Sequence, residues 1–286
     1  LAIADLDRAA ELLPDEPVAY LYRGNAHLEA GRPAEAIYDY DRFLHVQSDG
    51  ADAAAALSNR AAAYYALGKL GEAYADFGRA LELEPEAAEL YHSRGVVQCA
   101  LGRYAEGIKD YDRAVELGLT ESALYNNRGL ARAQMQDYWE AVADYDRALE
   151  LEPSAQVAAE IHLNRGTVYA ELQDSARAVD DLTEAMDAGL DERKLTVALQ
   201  RRAHAHLELR AYGHAIVDCD RTLALCSGEG GEGIVHLLKA DSLAGLSEYE
   251  TAVADYNRAI DLLSNTEAVA MAFCRRGMAY YQLGDY

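Results

Sequence analysis

Cations are scarce in this chain. Its 286 residues hold 26 Lys and Arg against 49 Asp and Glu, a formal charge of −23. Phosphate binding draws on cation-driven counterion release, so this balance argues against a nucleic-acid partner. It argues equally against an anionic membrane surface. Cysteine is scarce as well, at four residues. Cys99, Cys219, Cys226 and Cys274 form no CxxC pair and share no framework spacing, which reads as four reduced, mostly packed thiols in a cytoplasmic protein. No apolar run approaches a membrane span, and no charged-then-apolar leader is read. The chain does not begin with Met, which leaves room for a removed leader or a longer parent protein. Convincing strand alternation is missing throughout.

What the chain has is repetition. DYDRA stands at Asp110–Ala114 and again at Asp144–Ala148. Looser copies read DLDRA (Asp5–Ala9), DYDRF (Asp39–Phe43), DCDRT (Asp218–Thr222) and DYNRA (Asp255–Ala259). A second phrase, Arg followed by Gly or Ala, begins at Arg23, Arg60, Arg94, Arg128, Arg165, Arg202 and Arg276, with Lys239-Ala240 in the remaining slot. The steps are 34 or 37 residues. The three extra residues fall near Ser48-Asp49-Gly50, Ser154-Ala155-Gln156, Asp191-Glu192-Arg193 and Gly228–Gly233, where a loop is expected to absorb them. Between the phrases lies a turn signal, clearest as LGKLGEA, LGRYAEG and LGDY. Apolar residues recur at helical spacing on both sides of it, so each unit reads as helix–turn–helix.

This pattern resembles the tetratricopeptide repeat over the whole chain. Small residues follow each Arg and recur at Ala36, Ala73, Gly107, Ala141, Ala178, Ala215 and Ala252, which lets two helices approach closely. A further small position is Ala9, Ala80, Ala114, Ala148, Ala185 and Ala259; Phe43 and Thr222 break it, and wider stacking is expected there. The terminal proline survives only at Pro14, Pro85 and Pro153, and Arg replaces the family's usual Leu before the Gly. The resemblance implies an all-α solenoid, a right-handed superhelix. We divide it into a half repeat (1–16), seven whole repeats (about 17–50, 54–87, 88–121, 122–155, 159–192, 196–229 and 233–266) and another half (270–286). Natural arrays end in polar caps. These ends carry apolar faces, so a segment of a longer array or head-to-tail self-association is expected.

In DYDRA the middle ring (Tyr40, Tyr111, Tyr145, Tyr256) is expected in the core between helices. The first acid and the cation one helix earlier recur together. We expect a repeated ion pair across each hairpin or to the next one, such as Arg128 with Asp144. Partly exposed pairs contribute only about 0–1 kcal/mol each, so fixing register is their expected use. Tyr104, Tyr138, Tyr212, Tyr249 and Tyr286, at the turn into the second helix, read as a packing ladder.

In proteins of this family the first helices line a concave channel that commonly takes extended peptides. The residue before each Arg is expected to look into it: Tyr22, Asn59, Ser93, Asn127, Asn164, Arg201, Leu238 and Arg275. An amide donates and accepts at once, which suits a peptide backbone. Asn59, Asn127 and Asn164 look like family positions that bind peptide main chain, with Asn25, Asn126, Arg201 and Arg275 behind them. The bland alternative is that these amides bond only to neighbours. A carboxylate clamp of the chaperone-tail kind is not expected, because the matching slots hold Leu21, Asn25, Asn59, Glu89 and Ser93 rather than cations. The channel turns cationic at Arg201, His204 and Arg275.

No catalytic residue, cofactor or metal site is expected. GEGGEG (Gly228–Gly233) follows a helix rather than a strand, and its two glutamates would repel phosphate. His204 and His206, two apart on a helix, face different ways. No nucleophile elbow or triad spacing is present. The expected function is a non-enzymatic scaffold for an extended peptide or partner domain. The alternative is the sensing or substrate-recruiting part of a larger effector enzyme, a protease, transferase or signalling protein, whose catalytic part lies outside this chain.

Overall fold

The computed structural model describes residues 2–13, 16–225 and 231–285. Pro14, Cys226, Tyr286 and the first three residues of GEGGEG lie outside the described residues. Among the described residues there are sixteen helices and no strand. The chain divides into two units, residues 1–137 and 138–286.

The first unit holds α1 (Ala2–Leu12), α2 (Pro17–Glu29), α3 (Pro33–Val46), α4 (Ala51–Ala66), α5 (Leu70–Leu83), α6 (Ala88–Ala100), α7 (Tyr104–Glu116) and α8 (Ser122–Gln134). The second holds α9 (Tyr138–Glu150), α10 (Ala155–Glu171), α11 (Ser175–Asp187), α12 (Glu192–Glu208), α13 (Tyr212–Leu225), α14 (Glu232–Gly245), α15 (Tyr249–Leu262) and α16 (Thr266–Leu283). Within each unit a helix packs on its successor, most closely as the pairs α2/α3, α4/α5, α6/α7, α10/α11, α12/α13 and α14/α15. In each of these pairs the cation phrase lies on the first helix and the DYDRA phrase or its variant on the second.

The turn inside each hairpin is one shape written in two ways. The residue eight after each phrase-leading cation has positive φ: Gly31, Gly68, Gly102 and Gly284, but Gln136, Gln173, Arg210 and Ser247 elsewhere. Glycine adopts this conformation freely; other residues pay about 1–2 kcal/mol. The next N–H reaches back five residues, as from Lys69 to the Tyr64 carbonyl (2.9 Å) and from Asp174 to the Tyr169 carbonyl (2.9 Å). This closes the last helical turn in the Schellman manner. The turn signal was therefore legible only where glycine occupies it.

Close packing explains the small residues. A Cβ on Gly24 would stand 2.8 Å from the Tyr40 ring, and one on Gly95 would stand 2.7 Å from Tyr111. Tyr40, Tyr111, Tyr145 and Tyr256 are all buried, as expected. Phe43 and Thr222 are fully buried too, and the Thr222 hydroxyl donates to the Asp218 carbonyl (2.8 Å). Of the tyrosines at the turn, Tyr104, Tyr138, Tyr212 and Tyr249 each open a second helix and are half-buried.

One expectation needs correction. The three-residue insertions do not sit mainly in loops. Helices α2, α6 and α8 have 13 residues, whereas α4 has 16, α10 and α12 have 17 and α16 has 18. About one helical turn is 3.6 residues, so ahead of α4, α10, α12 and α16 most of the insertion becomes an added first turn that keeps its backbone bonds internal; α14 has 14 residues, and the insertion ahead of it falls partly outside the described residues. Asp191 and Asn265 cap α12 and α16 through their side chains, which stabilises the lengthened starts. Of the described cysteines, Cys219 is buried, Cys99 is half-buried and Cys274 is exposed, all as free thiols.

Candidate functional site

Arg23, Arg60, Arg165 and Arg202 are three-way junctions. The Nε and Nη2 of these arginines, and of Arg94, fork onto the first aspartate of the hairpin's second helix. Arg60 meets Asp76 at 2.6 and 2.7 Å, Arg94 meets Asp110 at 2.8 and 2.7 Å, and Arg165 meets Asp181 at 2.7 and 2.6 Å. Arg23 with Asp39 and Arg202 with Asp218 repeat the geometry. The third nitrogen, Nη1, reaches back to the second acid of the preceding DxD. Arg23 bonds Asp7 (2.9 Å), Arg60 bonds Asp41 (2.5 Å), Arg128 bonds Asp112 (2.8 Å) and Arg165 bonds Asp146 (2.5 Å). The two acids of the phrase therefore have different tasks. One closes its own hairpin; the other ties it to the next. The first acid pairs across its own hairpin, one of the two expected arrangements, and the tie to the next repeat falls to the second acid, for which no role was expected.

Substitutions in the phrase keep this logic. Thr183 takes the Arg202 Nη1 bond at 2.8 Å, and Asn257 takes that of Arg276 at 2.5 Å. Lys239 bonds Asp220, and His236 bonds Asp255 (2.7 Å) in place of an arginine fork. Gly78 replaces the second acid ahead of Arg94, whose guanidinium instead lies 5.6 Å from the Tyr91 ring and 5.9 Å from Tyr74. The first aspartates are buried: Asp39 and Asp218 are 1% exposed, and Asp76 is 5% exposed. Burial alone would lower the pKa of Arg60 and Arg165, but their aspartates override it and hold both guanidiniums charged. Exposed-pair energetics therefore understate what these pairs contribute.

The expected contact residues Asn59, Asn127, Asn164, Arg201 and Arg275 lie one position before the phrase-leading Arg, and Asn25 and Asn126 lie within two positions of it, on the same first helices. Asn59 is half-buried and donates Nδ2 to Asn25 Oδ1 (3.0 Å), which also accepts the Tyr40 hydroxyl (2.8 Å). Asn127 pairs its Nδ2 with His92 Nε2 at 3.2 Å. Burial lowers the pKa of His92, only partly offset by Glu121, so the ring is neutral near pH 7 and free to accept that bond. Asn126 and Asn164 are half-buried and engaged as well. Arg201 pairs with Glu171 (2.9 Å), and Arg275 pairs with Asp241, which also accepts the Tyr256 hydroxyl (2.8 Å). The cationic stretch expected at Arg201 and Arg275 is thus neutralised by carboxylates. His204 is exposed, while His206 is half-buried and stacked on His214 at 5.2 Å.

The structure joins Asn25 to Asn59 directly, a link from one first helix to the next. Asn127 and His92 make the equivalent link from α8 to α6. These bonds fix the amides without exhausting them. The Asn59 carbonyl oxygen and the Asn25 NH2 take no part in the Asn25–Asn59 bond. The neighbour bonding anticipated as the bland alternative is real, and it leaves polar atoms over.

Two equivalent cavities open on the first-helix faces. One, of about 220 Å³ in the first unit, is lined by Tyr65, Val96, Ala100, Tyr111, Asn127 and Leu130, among others. The other, of about 310 Å³ in the second unit, has Asp241, Tyr256, Arg275 and Met278 in the matching positions. Among the described residues no group of three or more His, Cys, Asp or Glu is placed to hold a metal ion, and no helix is long and apolar enough to cross a membrane.

Three family profiles match the chain: two described as tetratricopeptide repeat, over residues 122–155 and 1–56, and one described as TPR repeat, over 61–102. No curated protein matches it. A solved tetratricopeptide repeat protein from Parabacteroides merdae superposes with a TM-score of 0.60 at 16% identity, covering 91% of this chain and 98% of that one. YrrB, described as a TPR protein with an unusual peptide-binding site, gives 0.55 at 23% identity, covering 66% of this chain and 94% of its own. The APC/C hetero-tetramer Cut9–Hcn1 gives 0.61 at 16% identity, covering 97% of this chain and 52% of that one.

Proposed function

Because this chain belongs to the tetratricopeptide-repeat family, we propose that it is a non-enzymatic scaffold that holds an extended peptide or a partner domain on the face of its first helices. The observation that carries this reading is the run of half-buried amides at Asn25, Asn59 and Asn127, held in place by their neighbours. An amide already fixed loses little entropy when it bonds a peptide backbone. Asn126 adjoins Asn127 on α8, and in the second unit Asn164, Arg201 and Arg275 take the same slot before the phrase-leading Arg. A solved fold relative, YrrB, is itself described as peptide-binding. The surplus of acid favours encounter with a basic or neutral partner.

The test is capture of partners from source-cell lysate by the wild-type chain and by an Asn59→Ala/Asn127→Ala/Asn164→Ala variant. Partners held by wild type and lost by a still-helical variant support the reading. Equal capture by both refutes it.

One observation favours a second reading, in which copies also stack on one another. A Cβ on Gly277 of α16 meets nothing within 4 Å, unlike Gly24 and Gly95. Arg276 bonds Asn257 through Nη1, and no aspartate of the described residues forks onto its other nitrogens. Asp5 of α1 is exposed and carries the phrase that would complete that fork. Sedimentation velocity checks this. Association that is lost on Arg276→Glu and restored by Asp5→Arg on the partner copy supports it; a strict monomer refutes it.

A further inference from the structure

The cavity between α6, α7 and α8 differs from its counterpart in a way that points to a ligand class. In the second unit the pocket carries Asp241 paired with Arg275 at its rim. In the first unit the same positions hold Val96 and Asn127. In the first hairpin that position is Asn25, whose oxygen accepts the Tyr40 hydroxyl. Val96 offers the Tyr111 hydroxyl no such acceptor. Its side chain instead adds to a largely apolar wall with Leu130, Ala100, Ala131, Cys99 and the rings of Tyr65, Tyr104 and Tyr111; Asn127 and Gln134 are the amides among the lining residues.

The volume limits what fits. About 220 Å³ is below the roughly 300–1,000 Å³ of small-molecule sites. It suits one side chain better than a whole ligand. A charged side chain would lose water there and meet no opposite charge among the lining residues. An aliphatic one would gain by leaving water. Asn127 at the rim can meet the backbone of the residue that inserts it.

We propose that this cavity is a specificity pocket that takes one aliphatic side chain, of leucine or isoleucine size, from an extended peptide lying along the first-helix face. The inference rests on the peptide-binding reading above and adds the residue class the peptide must present. The acidity of the chain favours Lys or Arg beside that anchor.

The probe is a phage-displayed random dodecapeptide library selected on the immobilised full chain. Selected peptides are then measured against three variants. Ala100→Leu fills the cavity from an exposed rim position. Val96→Asn restores the acceptor found at Asn25. Asn59→Ala/Asn127→Ala removes the amides. Circular dichroism confirms that each variant is folded. The expected result is a shared aliphatic residue whose peptides weaken at least about tenfold on Ala100→Leu, the scale of burying one such side chain. Peptides that depend on Asn59 and Asn127 but share no aliphatic residue, and ignore Ala100→Leu, overturn the pocket while leaving the peptide-binding reading intact. Peptides indifferent to all three variants, or no selected peptide, overturn both.

Discussion

Replacing Arg60 by Leu, the residue that the family usually has in this slot, is the sharpest test of the arginine junction. Arg60 holds Asp76 with two short bonds, and Asp76 is 5% exposed. Arg60→Leu leaves that carboxylate buried without its cation. Breaking a buried pair from one side costs about 3–5 kcal/mol. The lost bond to Asp41, whose side chain is 53% exposed, adds at most about 1 kcal/mol. With a urea m-value near 3 kcal/mol/M, the midpoint falls by about 1 M or more. The double variant Arg60→Leu/Asp76→Leu removes both charges, and apolar replacement of a buried pair is often close to neutral. It should recover most of the loss. Local unfolding is expected in a repeat array, so hydrogen exchange of α4 and α5 should be read beside the urea curve. A loss below about 1 kcal/mol for the single variant, or a double variant as unstable as the single, would refute the reasoning.

The remaining expectations follow from the same geometry. Gln173→Gly should stabilise the second unit by up to about 1 kcal/mol, since Gln173 has φ of 60° where glycine carries no penalty; a lower thermal midpoint would contradict this. Gly95→Val should cost about 1–3 kcal/mol by overpacking against Tyr111, whereas Gly277→Ala should be neutral or stabilising because its space is open; equal losses at the two sites would count against the packing argument. Burial raises the Asp181 pKa, but bonds from Arg165 and His162 outweigh it and the net shift is downward. Its contribution is therefore present above the unfolded value of about 4 and fades as pH falls through the lower folded value, so Asp181→Asn should differ from wild type most at neutral pH and least in acid. His92 runs the other way: burial lowers its pKa, the unfolded state binds the proton better, and stability falls as pH drops below about 6.5. An NMR titration placing the His92 midpoint above that value would exclude this account.

Much of the fold could be read from spacing alone, because each repeat must present the same surface to its neighbours. The cation before each small residue, the DYDRA phrase and the buried tyrosines were all visible in that way. The turns at Gln136, Gln173, Arg210 and Ser247 were not, since tertiary packing imposes a conformation that those side chains do not favour. Neither was the fate of the insertions. Three residues are close to one helical turn, so a helix absorbs them at little cost, and at Asp191 a loop-forming composition becomes a helix cap instead. At the candidate site, the sequence pointed to the asparagines but not to their partners. Those partners lie 34 or 35 residues away, and only the stacked structure brings Asn25 to Asn59 or His92 to Asn127.

The junction and the amide run are also mechanically linked. Asn59 precedes Arg60 on α4, as Asn127 precedes Arg128 on α8. Consecutive residues on a helix project about 100° apart. An arginine locked onto its aspartates therefore fixes the rotation of its helix, and with it the direction of the residue before it. The Arg–Asp pairs need not touch a ligand to govern binding. Loosening Arg60 should let Asn59 drift from Asn25, so Arg60→Leu should weaken any peptide held by Asn59 even where the chain stays folded. Binding unchanged in a variant whose α4 and α5 exchange faster would show that the ladder serves stability alone.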